Sequence, residues 1–468
     1  MHPLDLAIIL LYLAAVLGAG IYFSRRQQTT RRYFLGGHQL PWWAIAASIV
    51  ATETSTVTFI SVPGTAWAQG GDFKFLQLVF GYCLARVIIS FVFMPWYFRG
   101  ELVTVYELLH TRFGPSVRAL AASLFVVMRT IADGVRLLLT AFVLAALMKS
   151  AGIGTSIVFL GLVMIVFTLI GGIEAIVWIE VVQFVIYIGG AVAAAWVLIG
   201  HAGFDQAIAA GQAAGKFHLF DFSFDLTRTY TFWSGLIGGT FLTMSTHGTD
   251  QYLVQRYLCT DKPRSAARAL LASAAIVLVQ FVAFLFIGVL LYAFYGANAP
   301  VTASDQIFPH FIANHLPPGV SGLVVAAILA AALSSSLSAI AATIVSDLIK
   351  PRDERTAMRI SRVVVVLAGL AQIAVGLGLM QSQRSALGTA LAVASLINGP
   401  ILGVFFLGAT RRGGTGAALA GMTAGIAAVM WVAFGTKVAW PWYTVVGSVV
   451  TFGVGLIASN FIPRADAG

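Results

Sequence analysis

Apolar segments long enough to cross a lipid bilayer recur along almost the whole chain, from Leu4 to Phe461. About 20 apolar residues span the roughly 30 Å of hydrocarbon in a membrane. Because only 10% of the residues are charged and 59% are hydrophobic, too few ionic groups are present to cover a water-soluble surface. The pattern predicts an all-α polytopic membrane protein with about thirteen transmembrane helices. The predicted spans are 4–24, 41–64, 74–98, 117–147, 154–172, 175–199, 231–258, 264–296, 319–349, 357–382, 386–408, 414–435 and 440–461.

Lysine and arginine are distributed unevenly between the loops that join these spans. Of the 28 basic residues, nineteen, Arg256 among them, lie in or at the ends of one set of alternate loops and six in or at the ends of the other, while Arg86, Arg129 and Arg136 lie deeper inside spans. Since basic loops stay in the cytoplasm, we expect the amino terminus outside and the carboxyl terminus inside, in the plasma membrane of a bacterial cell. The net charge of +10 then reflects orientation in the bilayer, and a nucleic-acid partner is not indicated.

Two spans contain polar residues where a continuous apolar helix would be expected. In the span 41–64, the run Ala51-Thr-Glu-Thr-Ser-Thr56 interrupts the apolar sequence. In the span 231–258, glycine, threonine and serine are concentrated between Gly235 and Thr249. Unpaired backbone groups are costly in hydrocarbon, so a broken helix persists where it lines a cavity or holds an ion. Close packing of helices through small residues is the alternative explanation for the second of these spans.

The order of the spans indicates an internal repeat. Without the first span and the last two, ten remain, and they divide into two sets of five. Because five is odd, the two sets have opposite topology, which is typical of inverted repeats whose first helices are both broken near the midplane. The predicted segments are an extra N-terminal helix with a cytoplasmic loop (1–40), a first repeat (41–199), an extracellular loop (200–230), a second repeat (231–408) and two C-terminal helices with a tail (409–468).

Four separated motifs occur along the chain in a consistent order. They are Tyr33-Phe-Leu-Gly-Gly37 with Leu40-Pro-Trp-Trp43, Thr249-Asp-Gln-Tyr-Leu-Val-Gln-Arg256, Asp347-Leu-Ile-Lys-Pro351 and Gly399-Pro-Ile-Leu-Gly403. Over about residues 4–410 the chain resembles the sodium:solute symporter family, which includes carriers of glucose, proline, sialic acid, iodide and vitamins. The resemblance implies a leucine-transporter-like fold that works by alternating access, with sodium as the coupling ion. It implies no enzymatic activity, no organic cofactor and no obligate protein partner.

The resemblance also implies a main sodium site between the first broken helix and the ninth span. By position, its ligands are the backbone carbonyls of Ala51, Thr54 and Ala331 and the hydroxyls of Ser334 and Ser335. A hard monovalent cation needs several oxygens, and an unwound helix end leaves carbonyls unpaired. Counted from Asp347, the ninth span is about three residues shorter than the family pattern, so the pair Ser335 and Ser336 is an alternative.

Two acidic residues inside spans are further candidates for ion binding. Glu180 stands where relatives usually carry aspartate, which in some members binds a further sodium together with a hydroxyl, here that of Ser338. An acidic side chain in a span is costly unless it is paired, and the alternatives for Glu180 are protonation or a salt bridge with Arg129 or Arg136. Glu53 lies in the first break and is a candidate proton or gating site.

Arg129, Asp133 and Arg136 fall on one face of the fourth span. Residues three and four apart on a helix are neighbours, and charged residues inside a membrane usually face protein and pair with one another. We therefore predict a structural ion-pair ladder on this face, away from the substrate path.

The substrate positions implied by the resemblance lie in the two broken helices and beside them. They are Thr58, Gln77, Thr243, Thr246, His247 and Asn398. Sugar-carrying relatives place aromatic rings near the positions of Thr246 and His247, and their absence here disfavours a sugar. Hydroxyls with one imidazole suit a compact polar solute, and the motifs are most similar to the iodide and multivitamin branch, so we predict a small organic anion.

Other functional classes have specific sequence requirements that this chain meets less well. Proton coupling through Glu53 or Glu180 is the nearest alternative to sodium coupling. A channel would favour a continuous pore lined by rings of like residues, whereas this sequence contains paired internal breaks. A membrane hydrolase needs a nucleophile with a base or a metal cluster, and no HExxH motif occurs.

Overall fold

The structure is a computed structural model that describes residues 2–24, 30–54, 56–100, 102–147, 152–296, 301, 303–333, 336–380, 386–410 and 412–462. Within these residues the chain is helical and contains no β-strand. The α-helices are α1 (Pro3–Ser24), α2 (Thr30–Leu35), α3 (Trp42–Glu53), α4 (Thr56–Trp67), α5 (Leu76–Val92), α6 (Met94–Tyr97), α7 (Glu107–Phe113), α8 (Pro115–Leu147), α9 (Ile153–Ala202), α10 (Phe204–Ala213), α11 (Gly239–Gly248), α12 (Gln251–Leu258), α13 (Pro263–Tyr295), α14 (Ser304–His315), α15 (Val320–Leu333), α16 (Leu337–Thr343), α17 (Glu354–Gly378), α18 (Ala386–Ala409), α19 (Thr415–Gly435) and α20 (Pro441–Ala458).

Each predicted span coincides with one helix, with part of a helix or with a helix broken in two. The fifth and sixth spans form the two parts of α9, which are separated by a kink at Gly172. Gly172 has a φ of 55°, a conformation that glycine adopts at little cost. By length and hydropathy, seven helices of the described part qualify as membrane-crossing, and an eighth results when the bent pair α3 and α4 is counted as one span.

The predicted interruption of the second span is confirmed. Helix α3 ends at Glu53, α4 begins at Thr56, and the axes of the two halves differ by 56°. The amide of Thr54 still donates to the carbonyl of Val50 at 2.7 Å. Because the last carbonyls of a helix have no helical partner, the end of α3 offers backbone oxygens to another ligand.

The seventh span is also broken, and both explanations of its small residues hold. Helix α11 ends at Gly248 and α12 begins at Gln251, with the carboxylate of Asp250 capping α12 through the amide of Tyr252 at 2.9 Å. Upstream, a π-helical turn at Ser234–Gly238 packs against α5 so closely that a Cβ on Gly81 would lie 2.4 Å from the carbonyl oxygen of Gly235. The glycines therefore serve helix packing, and the residues after them are left to line a cavity.

The amino-terminal helix fixes the position of the ninth span. One carboxylate oxygen of Asp5 in α1 accepts hydrogen bonds from the amides of Gly319 at 2.7 Å and Gly322 at 3.0 Å, and from the hydroxyl of Ser321 at 2.9 Å. An acidic side chain at a helix amino terminus is stabilising because it pairs with otherwise unbonded N–H groups. Asp5 thus anchors the start of α15, the helix that leads to the predicted sodium ligands.

The predicted extracellular loop 200–230 is tied to the end of the first broken span. The Nζ of Lys216 donates to the carbonyl oxygens of Trp67 at 3.1 Å and Ala68 at 2.5 Å and lies 4.4 Å from the ring centroid of Tyr292. Burial lowers the pKa of Lys216 from its ordinary value, and the nearby Asp72 opposes this shift. A cation at the carboxyl end of α4 is favoured by the helix dipole, so Lys216 holds the loop against the carboxyl end of this span.

Candidate functional site

A cavity of about 180 Å³ lies between the two broken spans. Such a volume is smaller than the roughly 300–1,000 Å³ of pockets that take drug-sized ligands, so the cavity suits a compact solute. Polar and charged side chains come from α3, α4, α8, α11 and α12, and apolar side chains come mainly from the neighbouring helices. The lining residues are Thr52, Glu53, Thr58, Phe75, Tyr82, Arg129, Ala132, Arg136, Leu242, Thr243, Thr246, His247, Tyr252, Leu253, Phe281 and Ala394.

The six predicted substrate residues separate into two groups. Thr58, Thr243, Thr246 and His247 line the cavity. Gln77 and Asn398 are outside its lining. Gln77 is buried and accepts a hydrogen bond from the amide of Asp221 at 2.9 Å, so it holds the loop 200–230. The amide nitrogen of Asn398 is buried without a hydrogen-bond acceptor within the described part of the chain.

Glu53 belongs to a polar chain at one side of the cavity. Its carboxylate forms a salt bridge with Arg86 of α5, whose side chain is fully buried. Arg86 lies 3.5 Å from Nε2 of His247, and Nδ1 of His247 lies 3.0 Å from the hydroxyl of Tyr257. Because a guanidinium only donates, Nε2 of His247 is the acceptor and Nδ1 carries the proton. The geometry therefore links His247 to Arg86 and pairs Glu53 with a permanent cation.

The charged face of α8 lies at the cavity. Arg129 forms a bidentate salt bridge with Asp250, with Nε 3.0 Å from Oδ2. Arg136 donates from Nη1 to the hydroxyl of Tyr252 at 3.3 Å, and the same nitrogen is 3.7 Å from Oδ1 of Asp133. The predicted ladder thus has one ion pair within α8, between Arg136 and Asp133, and one ion pair to Asp250, the residue before α12. Because Arg129 and Arg136 line the cavity, the prediction that this face lies away from the substrate path is wrong.

The first broken span contacts the ninth span close to the predicted sodium ligands. The hydroxyl of Thr56 donates to the carbonyl of Ile328 in α15 at 3.2 Å, three residues before Ala331. Beside it, the amide of Gln280 donates to the hydroxyl of Thr54 at 2.5 Å. The start of α4, directly after the break, is therefore adjacent to the carboxyl half of α15. Carbonyl oxygens left unpaired at such a break are the hard donors that sodium prefers.

The serines of the predicted sodium site are only partly described. Ser334 and Ser335 lie outside the described residues, between the end of α15 at Leu333 and Ser336. The amide and the hydroxyl of Ser336 both donate to Oδ2 of Asp133, at 2.9 and 2.5 Å. Ser336 is thus held by α8, and the choice between the pair Ser334 and Ser335 and the pair Ser335 and Ser336 stays a prediction.

Glu180 forms a salt bridge, and its partner is Arg256. Nη2 of Arg256 is 2.5 Å from Oε1 of Glu180, and both side chains are at most 1% exposed. Ser48 and Thr52 of α3 also donate to this carboxylate. Arg129 and Arg136, the salt-bridge partners considered as one alternative, bond instead to Asp250 and to Tyr252. Sequence reasoning missed Arg256 because it lies at the end of the seventh span and was counted among the cytoplasmic loop charges.

Ser338, the predicted companion of Glu180, has a different neighbour. Its hydroxyl accepts from Nε2 of Gln255 at 3.4 Å. The structure thus brings Glu180 and Ser338 to the same region around α12 without a hydrogen bond between them in the described part. Their joint role as a second ion site stays a prediction.

Comparisons with known proteins agree with this architecture. Residues 33–425 match the sequence model of the sodium:solute symporter family. The chain is 31% identical to the sodium/sialic acid symporter NanT of Aliivibrio fischeri, with 96% of this chain and 91% of that protein covered. It is 30% identical to the sodium/sialic acid symporter SiaT of Proteus mirabilis, with 99% and 96% covered, and 30% identical to the human sodium/iodide cotransporter, with 92% and 70% covered.

Solved structures show the same fold. The chain superposes on a substrate-bound, outward-open state of a Na⁺-coupled sialic acid symporter with a TM-score of 0.90, at 29% identity and 99% coverage of both chains. A nucleobase-cation-symport-1 family transporter superposes with a TM-score of 0.62 at 15% identity, covering 91% of this chain and 93% of that one. The chain therefore belongs to the sodium:solute symporter family and is a sodium-coupled, multi-pass membrane symporter with the leucine-transporter-like fold of two inverted repeats.

Proposed function

We propose that the chain imports an organic anion that carries one carboxylate, together with sodium, and that Arg136 binds this carboxylate. The observation that carries the proposal is the position of Arg136 in the cavity lining. Its neighbouring carboxylate, Asp133, lies 3.7 Å away, beyond hydrogen-bond distance, and accepts from Ser336 instead. A guanidinium in this situation can form a bidentate pair with a carboxylate of the substrate.

The other charges at the cavity are already compensated within the protein. Arg129 is paired with Asp250, and Glu53 is paired with Arg86. Arg136 is the charge best placed to attract a solute, because its ion pair with Asp133, at 3.7 Å, is the longest of the three. An anionic solute is therefore favoured over a cation or a zwitterion of the same size.

Aromatic rings in the cavity add a second candidate within the same chemical class. Phe75, Tyr82, Tyr252 and Phe281 line the cavity, although none of them lies next to Thr246 or His247 in sequence. The argument against a sugar, which relied on missing rings at those two positions, therefore does not apply to the assembled cavity. A sugar acid such as sialic acid combines a carboxylate with a ring that aromatic side chains can contact, and two relatives are named as its carriers.

We infer that sodium binds to the carbonyls of Ala51, Thr54 and Ala331 and to the hydroxyls of Ser334 and Ser335. The contact between Thr56 and Ile328 supports this assignment because it joins the two helices beside the proposed ligands. Proton coupling is less well supported, since both candidate carboxylates, Glu53 and Glu180, are paired with arginine.

We also infer that the amino terminus lies outside the cell and the carboxyl terminus in the cytoplasm. The excess of lysine and arginine in one set of loops supports this orientation. The repeats proposed for residues 41–199 and 231–408 then cross the membrane in opposite directions. Their first broken helices, α3 with α4 and α11 with α12, meet at the cavity.

Uptake into proteoliposomes tests the proposed substrate class. The panel consists of labelled pyruvate, lactate, N-acetylneuraminate, iodide, glucose and proline, each measured with an inward sodium gradient and with potassium in its place. We expect sodium-stimulated uptake of at least one carboxylate, with pyruvate or lactate indicating a small monocarboxylate and N-acetylneuraminate a sugar acid. Stimulation of glucose or proline alone would contradict the proposal.

A further inference from the structure

One face of α8 contacts the two broken spans and the ninth span. Arg129, Asp133, Arg136 and Thr140 are spaced so that they lie along the same side of the helix. Arg129 pairs with Asp250, which lies between α11 and α12. The hydroxyl of Thr140 donates to that of Thr56, the first residue of α4, at 3.2 Å. Asp133 accepts from Ser336, which directly precedes α16. This face of α8 thus contacts the breaks of both broken spans and the residue next to the proposed sodium ligands.

Asp133 is the member of this face that contacts both sites. Its Oδ2 receives two hydrogen bonds from Ser336, the residue after the proposed ligands Ser334 and Ser335. Its Oδ1 points toward Arg136 and accepts no hydrogen bond within the described part of the chain. The Asp133 side chain is only 2% exposed. A buried carboxylate oxygen without a donor costs free energy, so this arrangement demands a functional explanation.

We propose that Asp133 is a positioning residue that couples the sodium site to Arg136. Sodium at the proposed site is held by the residues directly before Ser336 and thereby fixes the position of Ser336. The two donors of Ser336 then hold Oδ2 of Asp133, which keeps Oδ1 directed at Arg136 and sets the guanidinium in the cavity. The inference rests on the proposed function, because it assigns Arg136 to the carboxylate of the substrate and Ser334 and Ser335 to sodium.

Energetic coupling between two sites is reciprocal. If sodium affects Arg136, a change at Arg136 must also alter the affinity for sodium, so the test needs no substrate. The measurement is the thermal unfolding midpoint of the purified full-length protein as sodium replaces potassium at constant ionic strength. From its concentration dependence an apparent sodium affinity is obtained for the parent, Asp133→Asn, Arg136→Gln and the double variant. Asparagine keeps the shape and one acceptor of Asp133 but removes its charge.

We expect Asp133→Asn to weaken the apparent sodium affinity about tenfold, because a nearby negative charge is lost. Arg136→Gln should strengthen it several-fold in the parent, since a nearby positive charge is removed and Asp133 is released toward the ion. In the Asp133→Asn background, Arg136→Gln should alter the sodium affinity less than about twofold, because Asp133 no longer links Arg136 to the sodium site.

Asp347 provides the matched control. It is a buried aspartate at the end of the ninth span, paired with Arg118 of α8 at 2.5 Å, and it does not line the cavity. Asp347→Asn is expected to lower the midpoint without changing the effect of Arg136→Gln on sodium affinity. Should Asp133→Asn fail to fold, Ser336→Ala is used in its place, because it removes the hydroxyl donor of the same contact.

The outcomes separate this inference from the proposed function. If the parent responds equally to sodium and potassium, the proposed sodium site is wrong. If the parent responds to sodium but the effects of Asp133→Asn and Arg136→Gln are additive, as with Asp347→Asn, then Asp133 is purely structural and the coupling inference is wrong. If the effects on sodium affinity are non-additive when Arg136→Gln is combined with a change at Asp133 or Ser336, but additive with Asp347→Asn, the coupling inference is supported.

Discussion

Replacing Arg136 with glutamine is expected to lower kcat/KM for anion uptake by about 100-fold, which corresponds to roughly 3 kcal/mol. The reason is the loss of a charge-assisted, bidentate pair with the substrate carboxylate, for which glutamine offers one weaker neutral donor. Arg136→Lys should recover part of the activity, because it restores the charge without the planar pair of donors. The measurement is initial uptake into proteoliposomes of the carboxylate identified with the panel.

Arg112→Gln is the matched control for this prediction. Arg112 lies on α7, bonds to the carbonyls of Gly408 and Arg412, and does not line the cavity. Its replacement is expected to leave uptake within about threefold of the parent, as is usual for residues outside the site. Uptake by Arg136→Gln within the same range would show that the carboxylate is bound elsewhere.

The second large effect is expected at the buried pair of Glu180 and Arg256. Glu180→Gln or Arg256→Gln alone should destabilise the protein by about 3–5 kcal/mol, because each leaves an uncompensated charge in the interior. The double variant should regain most of this loss, since both charges are removed together. Thermal unfolding of the purified variants measures the effect. If the stability losses of the two single variants add in the double variant, the pairing of Glu180 with Arg256 is contradicted.

The same double variant tests whether Glu180 is an ion ligand. If its carboxylate only neutralises Arg256, a folded Glu180→Gln/Arg256→Gln protein should retain the sodium dependence of uptake. A folded double variant that has lost sodium dependence would instead support the second ion site predicted for Glu180 and Ser338. Ser338→Ala should then produce the same loss.

Much of the fold could be predicted because the membrane imposes simple rules on sequence. Spans of about 20 apolar residues and their interruption near Thr54 and Gly248 are visible without coordinates, since backbone groups in hydrocarbon must be paired. The opposite topology of the two repeats follows from the odd number of spans. The kink at Gly172 and the packing of Gly81 against Gly235 agree with what small residues permit.

The choice of partners could not be read from the sequence, because it depends on tertiary contacts. Glu180 and Arg256 are 76 residues apart, and the charge count alone placed Arg256 in a loop. Gln77 is polar and lies at the expected position, yet it binds the backbone of Asp221. The aromatic rings that line the cavity lie outside α11, the helix that carries Thr246 and His247.

The central claim is that a sodium ion between the first broken span and the ninth drives anion uptake. Its most direct test is the sodium dependence of carboxylate uptake by Ser334→Ala and Ser335→Ala beside the parent, in proteoliposomes with an imposed sodium gradient. We expect the parent to accumulate the anion only with sodium and both variants to lose this response. Full sodium dependence in both variants, or equal accumulation driven by external acid without sodium, would contradict it.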